Sequence, residues 1–339
     1  ANAGARGPVG IVAAAGTGLQ EVSVLVSNAG AGISQALGTG GRDVKQDVGG
    51  LMFVEALRAL ADDPQTAVIL LVSKPPHPAA LKPIAAACRK IKKPVVSIFL
   101  GAPPDVAGAF SAQAATLEEA ALVAARIAQA GAPVAAAAAV RCELDARNAV
   151  ILKEAGRLAQ ELAPGRKYLR GLFSGGTFCA EAQIVLQGTL TGLWSNAPVG
   201  GAKKLEDALR SRENTLVDLG EDEFTVGRPH PMIDYDLRKR RMRAEIHDPE
   251  TAVVLLDVVL GYGSHPDPAG ELTPLVREAA GQVRVVCSVT GTDRDPQNRS
   301  RVATALEAAG ARVMPSNAAA ARLAGAVCSR LQRKERFRC

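Results

Sequence analysis

The sequence predicts an α/β protein made of two tandem, doubly wound parallel sheets joined by a helical linker, and three observations predict it. Strand-length apolar runs alternate with amphipathic helical stretches in both halves. Strand, turn and helix repeated in this way force parallel pairing with right-handed crossovers. A nonapeptide also occurs twice, Asp63-Pro64-Gln65-Thr66-Ala67-Val68-Ile69-Leu70-Leu71 and Asp248-Pro249-Glu250-Thr251-Ala252-Val253-Val254-Leu255-Leu256, identical at seven of nine positions. Such a copy points to an internal duplication. Finally, apolar residues make up 47% of the chain but aromatics only 3%, so the cores are built from Ala, Val, Leu and Ile, as suits a buried parallel sheet. At 339 residues the chain has room for two domains of roughly 150 residues, each with its own core.

In the first half the pattern places strands at 9–13, 33–38, 67–72 and 94–100, with helices from 17, at 49–61 and at 79–91. In the helix at 49–61, Leu51, Met52, Val54, Leu57 and Leu60 form one apolar stripe. Residues 111–163 are Ala-rich and read as helical: a last helix, a linking segment near Gly131-Ala132-Pro133, then a connecting helix at 143–162 that ends before Pro164-Gly165. The cycle then resumes, with strands at 168–173, 215–219, 252–260, 283–289 and 312–314 and helices from 177 and at 234–246, 272–280 and 300–309. The domains expected are therefore 1–135, a linker at 136–165, a second domain at 166–331 and a basic tail at 332–339. A Gly-Thr turn opens both copies, at Gly16-Thr17 and Gly176-Thr177. The separation of the copies grows from 160 at these turns to 185 at the Asp-Pro pair, which assigns about 25 extra residues to a longer loop between the second strand and second helix of the second domain.

Composition excludes several function classes. The formal charge is +6, but the last ten residues hold five positive charges and one negative. That leaves a nearly neutral body and a solvated, frayed tail rather than a nucleic-acid arm. No apolar run is long enough for a bilayer, and six cysteines without paired spacing read as reduced thiols of a soluble, cytoplasmic protein. The first residue is Ala, and a buried strand follows almost at once, which reads as a chain that starts inside a larger protein. No metal-ligand spacing, Ser-His-Asp order, Walker A signature or full GxGxxG turn is present.

The candidate site residues lie after strands, where open parallel sheets bind ligands. Gly16, Thr17 and Gly18 in one copy and Gly175, Gly176 and Thr177 in the other allow close backbone approach, and helix N-termini favour phosphate or carboxylate. Tight turns that need glycine for geometry alone are the plain alternative. Gly40 and Gly41 follow the second strand of the first copy. At the matching place in the second stand Arg228, suited to a carboxylate or phosphate through its fork, and His230, able to donate a hydrogen bond or move a proton. The alternative there is a surface loop with Asp234 capping the next helix. Lys74 follows the third strand and either serves an anion or extends into solvent, while His77, His230 and His265 all fall in loops at this edge. Equivalent turns could face each other across one site between the domains.

Motifs at residues 10–21, 32–43, 73–76, 174–179, 222–234 and 257–268, the last two carrying Gly227-Arg228-Pro229-His230-Pro231 and Gly263-Ser264-His265-Pro266, resemble the FdrA family of acyl-CoA synthetase-like proteins over nearly the whole chain. That family is similar to succinyl-CoA synthetase with two flavodoxin-like ligase domains fused in one chain. The resemblance implies that the Gly16-Thr17 and Gly176-Thr177 turns correspond to the helix ends that face a phosphohistidine, and that a Rossmann CoA-binding domain lies upstream of this chain. The segment 99–108, where the synthetase carries its phosphohistidine loop, has no His, and the synthetase's catalytic Glu is replaced in 73–76. The resemblance therefore implies anion handling without phosphohistidine: a subunit of oxamate carbamoyltransferase, converting oxalurate and phosphate into oxamate and carbamoyl phosphate in purine catabolism. Its ligands would be small anions, with phosphate, carbamoyl phosphate or CoA as the cofactor candidates, and its partners the other subunits of a hetero-oligomer. An acid-CoA ligase without the phosphohistidine and a noncatalytic ligand-sensing subunit are the alternatives.

Overall fold

The computed structural model describes residues 2–101 and 108–336 and divides into two compact units, residues 2–145 and 146–339. In the N-terminal unit the chain runs β1 (Arg6–Ala13), α1 (Gly16–Asn28), β2 (Ile33–Gly38), α2 (Leu51–Asp62), β3 (Val68–Ser73), α3 (Pro78–Cys88), β4 (Val95–Phe99), β5 (Ala112–Gln113) and α4 (Leu117–Ala130). Its parallel sheet has the order β2-β1-β3-β4-β5. Helix α5 (Pro133–Gln160) carries the chain onward.

The C-terminal unit follows with β6 (Tyr168–Phe173), α6 (Gly176–Leu186), β7 (Leu193–Ser195), β8 (Lys203–Lys204), β9 (Asn214–Asp218), α7 (Asp222–Thr225) and α8 (Asp236–His247). Then come β10 (Thr251–Val259), α9 (Pro268–Glu278), β11 (Arg284–Thr290), α10 (Arg299–Ala309), β12 (Arg312–Met314) and α11 (Asn317–Arg336). Its sheet order is β12-β11-β10-β6-β9-β7-β8. Taken from β9 to β12, the strands stand in the order second, first, third, fourth, fifth. This is the order of the N-terminal sheet and the flavodoxin-like one.

The two-fold α/β expectation is met, and the strand registers show the duplication directly. Ile11 pairs with Leu70 as Gly171 pairs with Leu255; Ala13 pairs with Gly38 as Phe173 pairs with Asp218. Every residue of β3 and β10 is buried, as expected for central strands covered by helices on both faces. Phe53, Leu57 and Leu60 present one fully buried stripe of α2 to the sheet. The repeated Asp-Pro is a strand-entry turn. Asp63 accepts from the Gln65 amide (3.0 Å) and the Thr66 hydroxyl (2.8 Å), and Asp248 accepts from the Glu250 amide (2.9 Å). Cations close the preceding helix ends: Lys93 Nζ donates to the carbonyls of Leu60 and Asp63, and Arg166 to that of Asp248.

Four sequence expectations need correction. The separation between matched residues is 160 at Ile11 and Gly171, already 180 at Gly38 and Asp218, and 185 at Leu51 and Asp236. Twenty of the 25 extra residues therefore precede the second strand, as the segment carrying β7 and β8, and only five follow it. Residues 133–160 are a single helix rather than a linking segment followed by a helix. Gly131 and Ala132, both at positive φ, end α4, and Pro133 then starts α5 with its preset φ. Within the stretch read as helical, Ala112–Gln113 pairs as an edge strand with β4. Finally, the start of the expected basic tail lies inside α11, which runs to Arg336 with its N-terminal half buried; residues 337–339 lie outside the described residues.

Leu71 and Leu256, at matched central positions, are 0% and 1% exposed. Each Leu→Ala change is expected to lower the stability of its own unit by about 2–5 kcal/mol. Leu51→Ala, at a position 68% exposed, should stay within about 0.5 kcal/mol. Urea denaturation followed by circular dichroism checks the contrast.

Candidate functional site

The carboxyl edge of the C-terminal sheet is organised around a carboxylate with no access to water. Asp257, on β10, is 0% exposed. Its Oδ1 accepts from the Ser174 amide (2.8 Å), and its Oδ2 from the Ser174 hydroxyl (2.9 Å) and the Gly175 amide (3.0 Å). Arg238 of α8, itself 1% exposed, donates one Nη to Oδ1 at 2.6 Å and the other to the Asp257 carbonyl at 2.7 Å. A buried charge must be paired and hydrogen-bonded to be tolerated, and this one is met from both sides. The result fixes the turn from β6 into α6. Gly175 is buried and is the N-cap of α6, Gly176 is partly exposed and Thr177 is buried, so the first amides of α6, which have no carbonyl behind them within the helix, are held at the sheet edge.

His230 reaches the same place. Its Nδ1 accepts from the Met232 amide (3.3 Å), which leaves Nε2 as the protonated nitrogen of the neutral ring. A Cβ placed on Gly220 would lie 3.0 Å from His230 Nε2, 3.0 Å from the Ser174 carbonyl oxygen and 3.1 Å from Asp218 Oδ1. Only the missing side chain lets these three groups crowd one spot. Burial holds the His230 pKa below its ordinary value, with Asp257 pulling it up and Arg238 pushing it down, so the ring is neutral at pH 7. The segment with β7 and β8 braces this edge: Asn196 donates to the Asp218 carbonyl (2.9 Å) and to Glu223 (2.7 Å), and accepts from the Asp218 amide (2.8 Å).

His265 holds one loop to another. Its amide donates to the Met232 carbonyl (2.8 Å), its ring packs edge-on against Tyr235 at 5.4 Å, its Nδ1 accepts from the Asp267 amide, and Gln297 donates to its carbonyl (3.0 Å). The N-terminal unit repeats the device. The His77 amide donates to the Val44 carbonyl (2.9 Å), and His77 Nδ1 accepts from the Ala79 amide (3.2 Å). The main-chain amides of His77 and His265 thus tie one loop to another, and each imidazole accepts from the amide two residues on. Arg228 is exposed, with its amide on the Thr225 carbonyl. Asp234 accepts from the Asp236 amide at the start of α8 (2.8 Å), although Tyr235 stands at the N-cap position.

In the N-terminal unit Gly16 is exposed, while Thr17 and Gly18 are buried at the start of α1. Gly40 is exposed at positive φ, and Gly41 lies beside the Ala14 carbonyl. Half-buried Lys74 directly follows β3 in this unit, whereas Arg228, His230 and His265 belong to the other. The loop that lacks a histidine, at 102–107, lies outside the described residues. Sequence reading missed Asp257 and Arg238 as site residues. The signals were there: an acid interrupts the nine-residue apolar run of β10, and an Arg on α8 stands where the matched helix has Phe53.

Replacing Gly220 by Val puts branched carbons against the Ser174 carbonyl, a backbone atom that cannot swing aside. The expected outcome is displacement of the His230 ring, read as a shift of its Cε1 proton resonance by NMR, at a stability cost of about 1–3 kcal/mol.

Known proteins match both halves. The CoA-ligase family matches residues 172–327, and the CoA binding domain family matches residues 5–101. The second match falls where the family resemblance expected a ligase-type domain, with CoA binding placed upstream. The shared strand order nevertheless gives both halves one fold. The uncharacterized protein YahF of Escherichia coli K12 is 39% identical over 304 residues, 87% of this chain and 57% of that protein, so the chain spans little more than half of its curated relative. Among solved structures, PH0766 of Pyrococcus horikoshii OT3 is 14% identical with a TM-score of 0.36. The dinucleotide forming acetyl-coenzyme A synthetase 1 of Ca. Korarchaeum cryptofilum is 14% identical with a TM-score of 0.37; each alignment covers 98% of this chain and 66% of the other. With CoA-binding and CoA-ligase matches in successive units and YahF as a relative, the chain is an acyl-CoA synthetase-like protein of the FdrA family.

Proposed function

We propose that the chain is the anion-handling part of a carbamoyl-transferring enzyme that converts oxalurate and phosphate into oxamate and carbamoyl phosphate. The observation that carries this reading is the fixed start of α6 beside a neutral His230. Amides at a helix N-terminus suit an anion, and a neutral imidazole whose Nε2 bears the proton suits a carbonyl oxygen on which charge develops. A phosphate oxygen attacks the ureido carbonyl carbon, the bond from that carbon to the oxamate nitrogen breaks, and the phosphate's proton passes to that nitrogen. Atoms and charge balance without redox chemistry or a metal. His230 donates to the carbonyl oxygen through the step, the amides of Gly176 and Thr177 hold the anion, and exposed Arg228 takes the substrate carboxylate. Glycine turns in the N-terminal unit, at Gly16, Gly18, Gly40 and Gly41, with Lys74 close in sequence to the end of β3, offer a second anion-holding edge. In this reading the ligands are phosphate and carbamoyl phosphate, the setting is the cytoplasm, and further subunits complete the enzyme.

A second reading is favoured by the family matches themselves: an acid-CoA ligase that works without a phosphohistidine. Assaying the chain with its genomic neighbours for phosphate-dependent oxalurate cleavage and for CoA-thioester formation separates the two. Under the first reading His230→Ala lowers kcat for oxalurate cleavage by about 10²–10³, while Arg228→Ala mainly raises KM. Equal activity of both variants and the wild type excludes the proposed site, and thioester formation without oxalurate cleavage establishes the second reading.

The pH dependence follows from His230. Its folded pKa lies below its unfolded one, so the unfolded chain binds the proton first. This part of the stability is complete above the ordinary His value of about 6.5 and is lost as pH falls below it toward the folded value. Activity should stay level down through about pH 6.5 and then fall as the ring protonates. A pH–kcat profile with its acidic limb above the ordinary His value contradicts the assignment.

A further inference from the structure

The duplication supplies an internal control for the buried ion pair. With strand registers and helix bounds superimposed, Asp257 corresponds to Val72 and Arg238 to Phe53. All four side chains are nine-tenths buried or more. At these matched positions one copy therefore holds two buried apolar residues and the other an ion pair. The amides they serve also correspond. Ala14 donates its N–H to the backbone carbonyl of Val72 at 2.9 Å, whereas Ser174 donates to the side-chain carboxylate of Asp257 at 2.8 Å. Replacing a buried ion pair by well-packed apolar residues is often neutral or stabilising, whereas removing one partner leaves a buried charge unpaired. The first copy keeps the same strand order with Val72 and Phe53 at the positions of the ion pair.

We propose that Asp257, balanced by Arg238, is a positioning residue for the α6 turn rather than a stabilising element of the core. The carboxylate takes both Ser174 donors and the Gly175 amide, so a ligand meets only the amides from Gly176 onward. It also fixes the carbonyl of Ser174, which shares the spot at Gly220 with His230 Nε2. The groups facing this carboxylate are the Ser174 hydroxyl and amide and the Gly175 amide from the start of α6, and Arg238 from α8. His230 and Asp218 stand around Gly220 from the loop and β9. The consequence for a ligand rests on the proposed anion role of this turn; the positioning itself does not.

The test transplants the first copy's solution into the second as the double variant Arg238→Phe/Asp257→Val, with Asp257→Val alone for comparison, in the full chain. The double variant should keep its Tm within about 5 °C of the wild type, while the single variant should lose more than about 10 °C by leaving Arg238 unpaired. In the double variant, hydrogen exchange at residues 174–178 should speed up by roughly tenfold or more, with exchange in the central strands unchanged. The amide shift of Thr177 on titration with inorganic phosphate should be lost. If the double variant loses as much Tm as the single one, the pair is a core element and the proposal is overturned. It is overturned equally if exchange at 174–178 is unchanged. If exchange rises but the wild type shows no phosphate response, positioning stands and the phosphate role of the turn fails.

Discussion

A carboxylate buried without water has to be satisfied by donors, and at Asp257 that requirement organises the carboxyl edge of the C-terminal sheet. Three donors come from Ser174 and Gly175 and one from Arg238. Arg238 also grips the carbonyl of the same residue. Through these bonds a strand in the middle of the sheet, the start of α6 and the helix α8 become one unit. Gly220 then admits the His230 ring to the carbonyl that the pair has fixed, and the clamp from His265 to Met232 holds the loop that carries that ring. The chemistry proposed for the site depends on this order of events, because a neutral donor and a set of helix amides are useful only when held in one place.

The second copy contains more buried charge than the first, and at both ends of the sheet. At the end opposite the site, Arg170 on β6 pairs with Glu245 (3.1 Å) and Asp248 (2.7 Å), and Glu245 also meets Arg241 (2.9 Å). The matched positions in the first copy are Gly10 and Leu60 for Arg170 and Glu245. Burial pushes the Asp248 carboxyl up, but hydrogen bonds from Arg170 and Glu250 outweigh it and hold it below the usual carboxylate range. The duplicated scaffold thus kept its registers, its Asp-Pro entry turns and its histidine clamps, and diverged in what fills the space beneath them. At these matched positions one copy carries apolar residues, the other ion pairs that couple its loops to its core.

Most of the fold was legible because its signals are local. Strands at 33–38, 168–173 and 312–314 have the expected bounds, and the central strands announce themselves as continuous apolar runs. What was missed has physical reasons. The extra length of the second copy was placed after the wrong strand because two anchors bracket several elements, and only strand pairing says which gap holds the insertion; β7 and β8 are three and two residues long and carry no periodic signal. Helix α11 was masked by its charged end, although its alanines are buried from Ala318 onward. At the site, the glycine turns and His230 could be read from their place after strands. Asp257 and Arg238 could not be paired that way, because the partner of a buried acid lies nineteen residues earlier in a helix, and only comparison with Phe53 and Val72 shows that the charges are an addition.

In the proposed reaction the start of α6 and the neutral His230 ring together hold carbamoyl phosphate. A crystal structure of the chain with carbamoyl phosphate tests it most directly. Phosphate oxygens are expected within about 3 Å of the Gly176 and Thr177 amides, and the carbamoyl oxygen within about 3 Å of His230 Nε2. Ligand bound elsewhere on the chain, or seated at the α6 turn with its carbonyl oxygen turned away from His230, contradicts it.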